Sequence, residues 1–292
     1  MKSGFVSVVG RPNVGKSTLV NSLVGEKVAI TSPRPQTTRN TIRGVLTLDD
    51  PPAQIVFVDT PGLHRPRTAL GERLNTLVYG SLAEADGVVF VLDATQKIGP
   101  GDRLIAERLG RAETPVVVVV NKTDIAAPDQ VIAQLAEAGE WDFAAYAPIS
   151  AARGDGLAPI TAELLTMLPE GPQYFPKEMR TDQPDEFLAA ELIREKYLAR
   201  LREELPHSLA VMVDELEERA SGTVYVAATI YVERNSQKGI VIGKGGEQLK
   251  RVGAEARADL ERLFGASVYL DLRVKVEPDW QRRDVLLDRL GF

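Results

Sequence analysis

The stretch Gly10-Arg11-Pro12-Asn13-Val14-Gly15-Lys16-Ser17 sets two glycines around a short loop and follows the second with a lysine and a hydroxyl. A strand that runs into a helix through such a loop turns successive backbone N–H groups onto an anion, and the helix N-terminus adds its positive end. In that reading Gly10, Asn13, Val14 and Gly15, with Thr18 just behind them, cradle phosphates. Lys16 bridges β- and γ-phosphate oxygens and the Ser17 hydroxyl ligates Mg²⁺. Asp59-Thr60-Pro61-Gly62 follows the apolar run Ile55 to Val58, which places a carboxylate for the metal's outer shell (Asp59) and a γ-phosphate-sensing glycine (Gly62). Asn121-Lys122-Thr123-Asp124 closes the run Val116 to Val120. A carboxylate at Asp124 accepts from both N1–H and the N2 amine of guanine, whereas adenine offers neither. An unpaired buried carboxylate rejects the wrong base by about 10⁴–10⁵. Asn121 would tie this loop to the phosphate loop, and the stem of Lys122 would cover one face of the base. Ser150-Ala151-Ala152 would complete the pocket with a backbone N–H to guanine O6. Singly, most of these are common turns. Together they occur in one order, each after a strand, and ligands of doubly wound sheets bind at the carboxyl ends of strands. The ligand they imply is GTP or GDP with Mg²⁺.

The elements that must hold these residues are legible as continuous β-branched runs, Phe5 to Val9, Ile55 to Val58, Val88 to Leu92 and Val116 to Val120, which suit strands buried on both faces. Helix-compatible stretches alternate with them: Lys16 to Val24, Leu70 to Glu84, Asp102 to Leu109, Gln130 to Ala138 and Gly156 to Leu168. The alternation predicts an α/β domain with a doubly wound, mainly parallel sheet over residues 1–170. Residues 171–185 are punctuated by Pro and Gly and read as a linker, and 186–292 as a second, α+β domain. The chain has 292 residues, enough for two ordinary domains. It has no cysteine, which excludes disulfides, cysteine-ligated metals and a thiol nucleophile. Its start lacks a signal-peptide pattern and its apolar runs are too short to span a bilayer, so the reading is cytoplasmic. With 35 Lys and Arg against 41 Asp and Glu, bulk coating of a polyanion is excluded. Nucleic-acid binding would have to be local.

With these four motifs the first domain resembles the translation-factor-like class of small GTPases. The resemblance identifies Thr37-Thr38-Arg39, within Pro35-Gln36-Thr37-Thr38-Arg39-Asn40, as the first switch. It implies that Thr38, or alternatively Thr37, closes onto Mg²⁺, so the residues that would carry the chemistry are Lys16, Thr38, Asp59 and Gly62. Many such enzymes have a water-orienting Gln directly after the Asp-X-X-Gly motif. Here that position is Leu63, which can do neither half of the task. A backbone group, a partner or another side chain, with His64 one candidate, must place the water. Asn13 is similar to the asparagine of potassium-activated GTPases, and the resemblance implies slow hydrolysis accelerated by a K⁺ ion held there.

In the second half, Gly243-Lys244-Gly245-Gly246 after Ile240-Val241-Ile242 fits the GXXG loop of a KH domain, which clamps about four nucleotides of single-stranded RNA. By itself the tetrapeptide is equally a helix–helix turn. The surrounding order, with helix Phe187 to Leu201, strands Leu209 to Val213 and Val224 to Val232, helix Glu247 to Phe264, strand Val268 to Val276 and a helical tail Trp280 to Leu290, resembles the type II KH arrangement. Ile240 to Ile242 would floor the base groove, and Lys250 and Arg251 could reach phosphates. The combination is similar to the Era family of bacterial GTPases. That resemblance implies a monomeric switch in 16S rRNA processing and 30S ribosomal subunit assembly, with the KH domain on the single-stranded 3′ end of 16S rRNA. It also implies peripheral association with the inner face of the cell membrane. Two alternatives stay open: a GTPase of another RNA pathway, and an RNA chaperone that nucleotide merely stabilises.

Overall fold

The computed structural model describes all residues except 35, 64, 65, 67, 202–204 and 207. It divides into two units, the first made of Met1–Ala29, Thr38–Pro66 and Gly71–Asp182 and the second of Ile30–Thr37, Arg67–Leu70 and Gln183–Phe292.

The first unit is built on β1 (Lys2–Val9), β2 (Ile42–Asp49), β3 (Pro52–Asp59), β4 (Gly87–Asp93), β5 (Val116–Asn121) and β6 (Ala145–Pro148). They form one sheet in the order β2-β3-β1-β4-β5-β6, parallel throughout except for the β2–β3 pair. The chain first moves from β1 to β3 on one side and then crosses to β4 on the other. This is the strand-order reversal beyond which open α/β sheets place a ligand. Alternation divides the buried runs between two cores. Val89, Val91, Val117 and Val119 pack on one face with Leu19, Ile160 and Leu164. Val88, Phe90, Leu92, Val116, Val118 and Val120 pack on the other with Val78, Ile105 and Leu109. The helices of this unit include α1 (Lys16–Val24), α3 (Pro100–Leu109), α4 (Pro128–Ala138) and α5 (Leu157–Met167), with α2 (Ala69–Ala83) preceding β4.

β2 is absent from the sequence reading, and β6 enters it only as the strand implied before Ser150. Both lie at sheet edges and are only partly buried, so neither shows the long β-branched run that marks the central strands. The stretch read as a linker is fastened to the first unit as far as Asp182. Phe5 and Tyr174 stack edgewise at 5.0 Å, the Val45 N–H donates to Arg180 O at 2.8 Å, and Arg43 pairs with Asp182. Gln54, fully buried on β3, is the main anchor. Its Oε1 accepts from the N–H groups of Tyr174 (2.8 Å) and Phe175 (2.9 Å), and its Nε2 donates to Phe175 O and to Thr47 Oγ1, both at 2.9 Å.

The second unit carries α6 (Asp185–Arg200), β7 (Ala210–Glu218), β8 (Val224–Val232), α7 (Asn235–Ile242), α8 (Glu247–Phe264), β9 (Val268–Val276) and α9 (Asp284–Arg289). Its sheet has the order β7-β8-β9, antiparallel then parallel. Every second residue of β8, from Val224 to Val232, faces a core shared with Ile193 and Tyr197 of α6 and Val252, Ala256 and Leu260 of α8. The segment 30–37 belongs here by its contacts with α6: Thr31 N–H donates to Glu195 at 3.0 Å, Arg34 to Leu201 O at 3.1 Å, and Arg194 to Thr37 O.

Replacing Gln54 by Leu would leave the Tyr174 and Phe175 N–H groups without their acceptor. Each unsatisfied buried group costs about 1–3 kcal/mol. Gln54→Leu should therefore lower the urea midpoint of the first unit and open residues 171–182 to limited proteolysis, and an unchanged cleavage pattern would show that the stretch is held by other contacts.

Candidate functional site: a nucleotide cradle and a glycine-loop groove

The phosphate loop leaves β1 at Gly10 and enters α1 at Lys16, with Gly15 at φ +99° and Asn13 at φ +66°. Gly15 could not be replaced cheaply, since a Cβ there would collide with the Asn121 amide. Gly62 is equally constrained, because its Cβ would meet the backbone N and Cα of Pro12 at 2.7 Å. The loop after β3 is thus pressed against the phosphate loop, as its proposed sensing role needs.

Three oxygens converge beside α1. Ser17 Oγ donates to Asp59 Oδ2 at 2.6 Å and lies 2.8 Å from Thr38 Oγ1, which is itself 3.3 Å from Asp59 Oδ2. Of the two switch threonines, Thr38 stands here, while Thr37 directs its hydroxyl to Arg34 O at 2.7 Å. Asp59 is fully buried, and among the described residues its Oδ1 meets no hydrogen-bond donor of good geometry. An orphaned carboxylate oxygen beside two hydroxyls fits a hard divalent cation that takes most of its ligands from phosphate and water. No cluster of three or more His, Cys, Asp or Glu exists among the described residues, so a metal here would not sit in an all-protein cage.

Burial sets the charges. It pushes Asp59 up to about 6, against the opposing pull of hydrogen bonds from Ser17 and Thr38 and of the Lys16 charge. It lowers Lys16 to about 8, and the nearby Asp59 charge offsets only part of this. Lys16 Nζ donates to Gly10 O at 3.2 Å and Arg11 O at 3.0 Å, on the inside of the loop. A dication next to Asp59 and phosphate oxygens next to Lys16 would each supply the charge that burial withholds.

The base side is assembled at the ends of β5 and β6. Asn121 Nδ2 donates to Val14 O and its Oδ1 accepts from the Ala151 N–H, both at 2.9 Å. Lys122 Nζ reaches Asn13 O at 2.7 Å and Asp93 Oδ2 at 2.6 Å. Asp124 Oδ1 accepts from Ser150 Oγ at 2.7 Å, which aims the carboxylate. Within Ser150-Ala151-Ala152, the Ser150 N–H donates to Asp155 O at 3.0 Å and that of Ala151 is taken by Asn121. Ala152 is exposed. Asp93 was not singled out from sequence. It ends a buried strand, in register with Asn121, a pairing that only the structure shows. His64 lies outside the described residues.

In the second unit Gly243, Gly245 and Gly246 all have positive φ, +76°, +61° and +80°, so the loop between α7 and α8 depends on glycine. Beside it is a groove of about 680 Å³ lined by Arg200, Leu201, Leu205, Gln237, Ile240, Gly243, Lys244, Glu247, Gln248 and Arg251. Ile242, Gly245, Gly246 and Lys250 lie outside this lining. Val241, expected in the floor, is fully buried in the core, because the helical turn of α7 points it inward, and Ile240 with Leu201 and Leu205 supplies the apolar surface instead. Arg251 is paired with Glu247 at 3.0 Å.

Residues 5–122 match a family model described as 50S ribosome-binding GTPase, and 204–281 match a KH domain model. The whole structure superposes on the crystal structure of Era in complex with MgGDPNP and nucleotides 1506–1542 of 16S ribosomal RNA, with a TM-score of 0.96 and 41% identity over 100% of this chain and 99% of that one. A tyrosine-to-alanine variant of Aquifex aeolicus Era bound to GDP·AlF4⁻ is similar to the same degree, with a TM-score of 0.95 and 41% identity over the same shares. A nucleotide cradle and a KH fold on one chain, matched end to end at this identity, place the protein in the Era family of GTPases.

Proposed function

We propose that the protein binds and hydrolyses GTP in its first domain, residues 1–170, and holds the single-stranded 3′ end of 16S rRNA in the groove of its second, residues 186–292, as a switch in assembly of the 30S subunit. The observation that carries this reading is the coexistence of the Ser17–Thr38–Asp59 cluster with the glycine-loop groove on a chain 41% identical to an Era that holds both MgGDPNP and that RNA segment. The family model's description names the 50S particle, but it matches only residues 5–122, whereas the RNA-bound relative matches both halves. This favours the small-subunit RNA. Cytoplasmic location is part of the proposal. Membrane association is not.

In the nucleotide domain, Lys16 would neutralise the β/γ-phosphate oxygens as charge develops between them, and the N–H of Gly62 would complete the γ-phosphate cage. Mg²⁺, held by the hydroxyls of Ser17 and Thr38 with Asp59 behind them, would supply charge neutralisation between the same oxygens. Asp124 and the Ala152 N–H would read guanine, and Asn121 would keep the two loops in register. Leu63 cannot orient water, so intrinsic turnover is slow. Asn13, exposed at the crest of the phosphate loop, is the residue proposed to hold a stimulating K⁺.

The central test is binding of a short single-stranded RNA with the 16S 3′-end sequence to the GTP-analogue, GDP and nucleotide-free forms. Affinity should differ between nucleotide states, since only a ligand that discriminates states can be switched. Gly245→Asp adds a charge, and a side chain at φ +61°, at a position where a Cβ meets nothing within 4 Å. It should weaken RNA binding by about tenfold or more, roughly 1.4 kcal/mol, while GTP binding is retained. Equal RNA affinity in all states and in Gly245→Asp would refute the switch. A second test is turnover in potassium against sodium buffer, where a higher rate in potassium is expected and equal rates would remove Asn13 from the mechanism.

A third test uses pH. In the nucleotide-free protein the folded state keeps the Asp59 proton up to about pH 6, whereas the unfolded chain releases it near 3.8, where an aspartate ordinarily titrates. Folded stability therefore falls as pH rises between those values. Asp59→Asn cannot ionise, so its stability relative to wild type should grow across that window, by on the order of 3 kcal/mol at most. Urea midpoints of both proteins from pH 4 to 7 measure this, and saturating Mg²⁺ with GDP should erase the difference.

A further inference from the structure

We infer that Asp93 is a positioning residue of the nucleotide site, one that holds the Lys122 side chain in the line it needs to cover the base. The inference rests on the guanine-nucleotide reading above. Asp93 is the last residue of β4, buried, and in register with Asn121 across the β4–β5 pair. Its two carboxylate oxygens have separate tasks. Oδ1 closes the following turn, accepting from the Thr95 N–H at 2.9 Å and the Thr95 hydroxyl at 2.6 Å. Oδ2 faces the site, accepting from Lys122 Nζ at 2.6 Å and, at 3.3 Å, from Gln96 Nε2. The Asp93 carbonyl is itself held by Gln134 Nε2 at 2.7 Å, so the strand end is fixed from below.

Lys122 is a long side chain on an unusual backbone, φ +69°, and its tip is tethered by Asp93 Oδ2 and Asn13 O. A free lysine carries about 2 kcal/mol of rotamer entropy. Stretched between the end of β4 and the phosphate loop, the stem is already ordered before a base arrives, and binding no longer has to order it. The same tether restrains the carbonyl of Asn13, so it also joins the base side of the pocket to the phosphate loop.

Asp93→Asn separates these tasks, because its amide oxygen can keep both Thr95 bonds while its NH₂ turns a donor toward the Lys122 ammonium. The experiment measures the dissociation constant for GDP in wild type, Asp93→Asn, Lys122→Met and the double variant, with Thr95→Ala as a control for the turn. Asp93→Asn should raise the constant about tenfold when Lys122 is present and by no more than about twofold when residue 122 is methionine, a coupling that double-mutant cycles resolve. Thr95→Ala should leave it unchanged. An unchanged constant in Asp93→Asn, or the same loss in both backgrounds, would overturn the assignment, the latter showing that Asp93 acts only through general stability. Failure of the wild-type protein to bind GDP would overturn the nucleotide reading along with it.

Discussion

The side-chain amide of Asn121 is 2% exposed, and each of its ends closes a different loop. The NH₂ holds the carbonyl of Val14 in the phosphate loop, and the carbonyl oxygen holds the N–H of Ala151 in the base loop. A buried amide with only one end satisfied would cost on the order of 1–3 kcal/mol, so the two loops are fixed together or not at all. Glycine at position 15 follows from this, since the amide occupies the space a side chain would need. The strand beneath, five consecutive valines buried on both faces, fixes the height at which Asn121 stands. Phosphate contact and base contact thus become one geometric fact.

The central strands and all four nucleotide motifs could be read directly, because strands buried on both sides show unbroken apolar runs and the motifs sit at their ends. β8, α8 and β9 coincide with their sequence bounds for a similar reason: each has a strong period and a glycine or turn at its edge. What escaped was half-buried. β2 mixes polar and apolar residues because one side of an edge strand is not covered, and β6 is four residues of mostly small side chains, too short to bound. Residues 171–182 look like a linker by composition, yet a single buried glutamine reached from β3 organises them. A hydrogen-bonding partner so far away in sequence leaves no local trace. Asp93 escaped because an aspartate ending a strand is ordinary, and its role depends on which lysine faces it across the sheet. Of the three residues expected in the groove floor Ile240 lines it while Val241 and Ile242 do not, since an apolar tripeptide does not reveal which of its members a helical turn presents.

In the second unit acidic and basic residues are nearly equal in number. Glu215, Glu217 and Glu218 lie on the edge strand β7, and Arg251 and Arg200 on the groove wall are each engaged with a neighbouring glutamate. Much of the positive charge near the groove is therefore already balanced. Tight contact there relies on close backbone approach at Gly243 to Gly246 and on the apolar surface of Ile240, Leu201 and Leu205. Such a surface favours unpaired bases over a duplex, whose phosphates would demand more cations than it presents.

The sequence has two tryptophans, and the structure puts one in each unit. Trp141 stacks on Phe90 at 5.7 Å against the lower core of the nucleotide sheet, and Trp280 stacks on Phe292 at 5.6 Å while donating its indole N–H to Ser208 O. Each unit therefore contains its own fluorophore, in a distinct environment, with the fully buried Trp280 screened from water and Trp141 only partly so. Exchanging either indole for phenylalanine would make the chain's intrinsic emission a reporter for one half alone, which turns an otherwise blended optical signal into two separable ones.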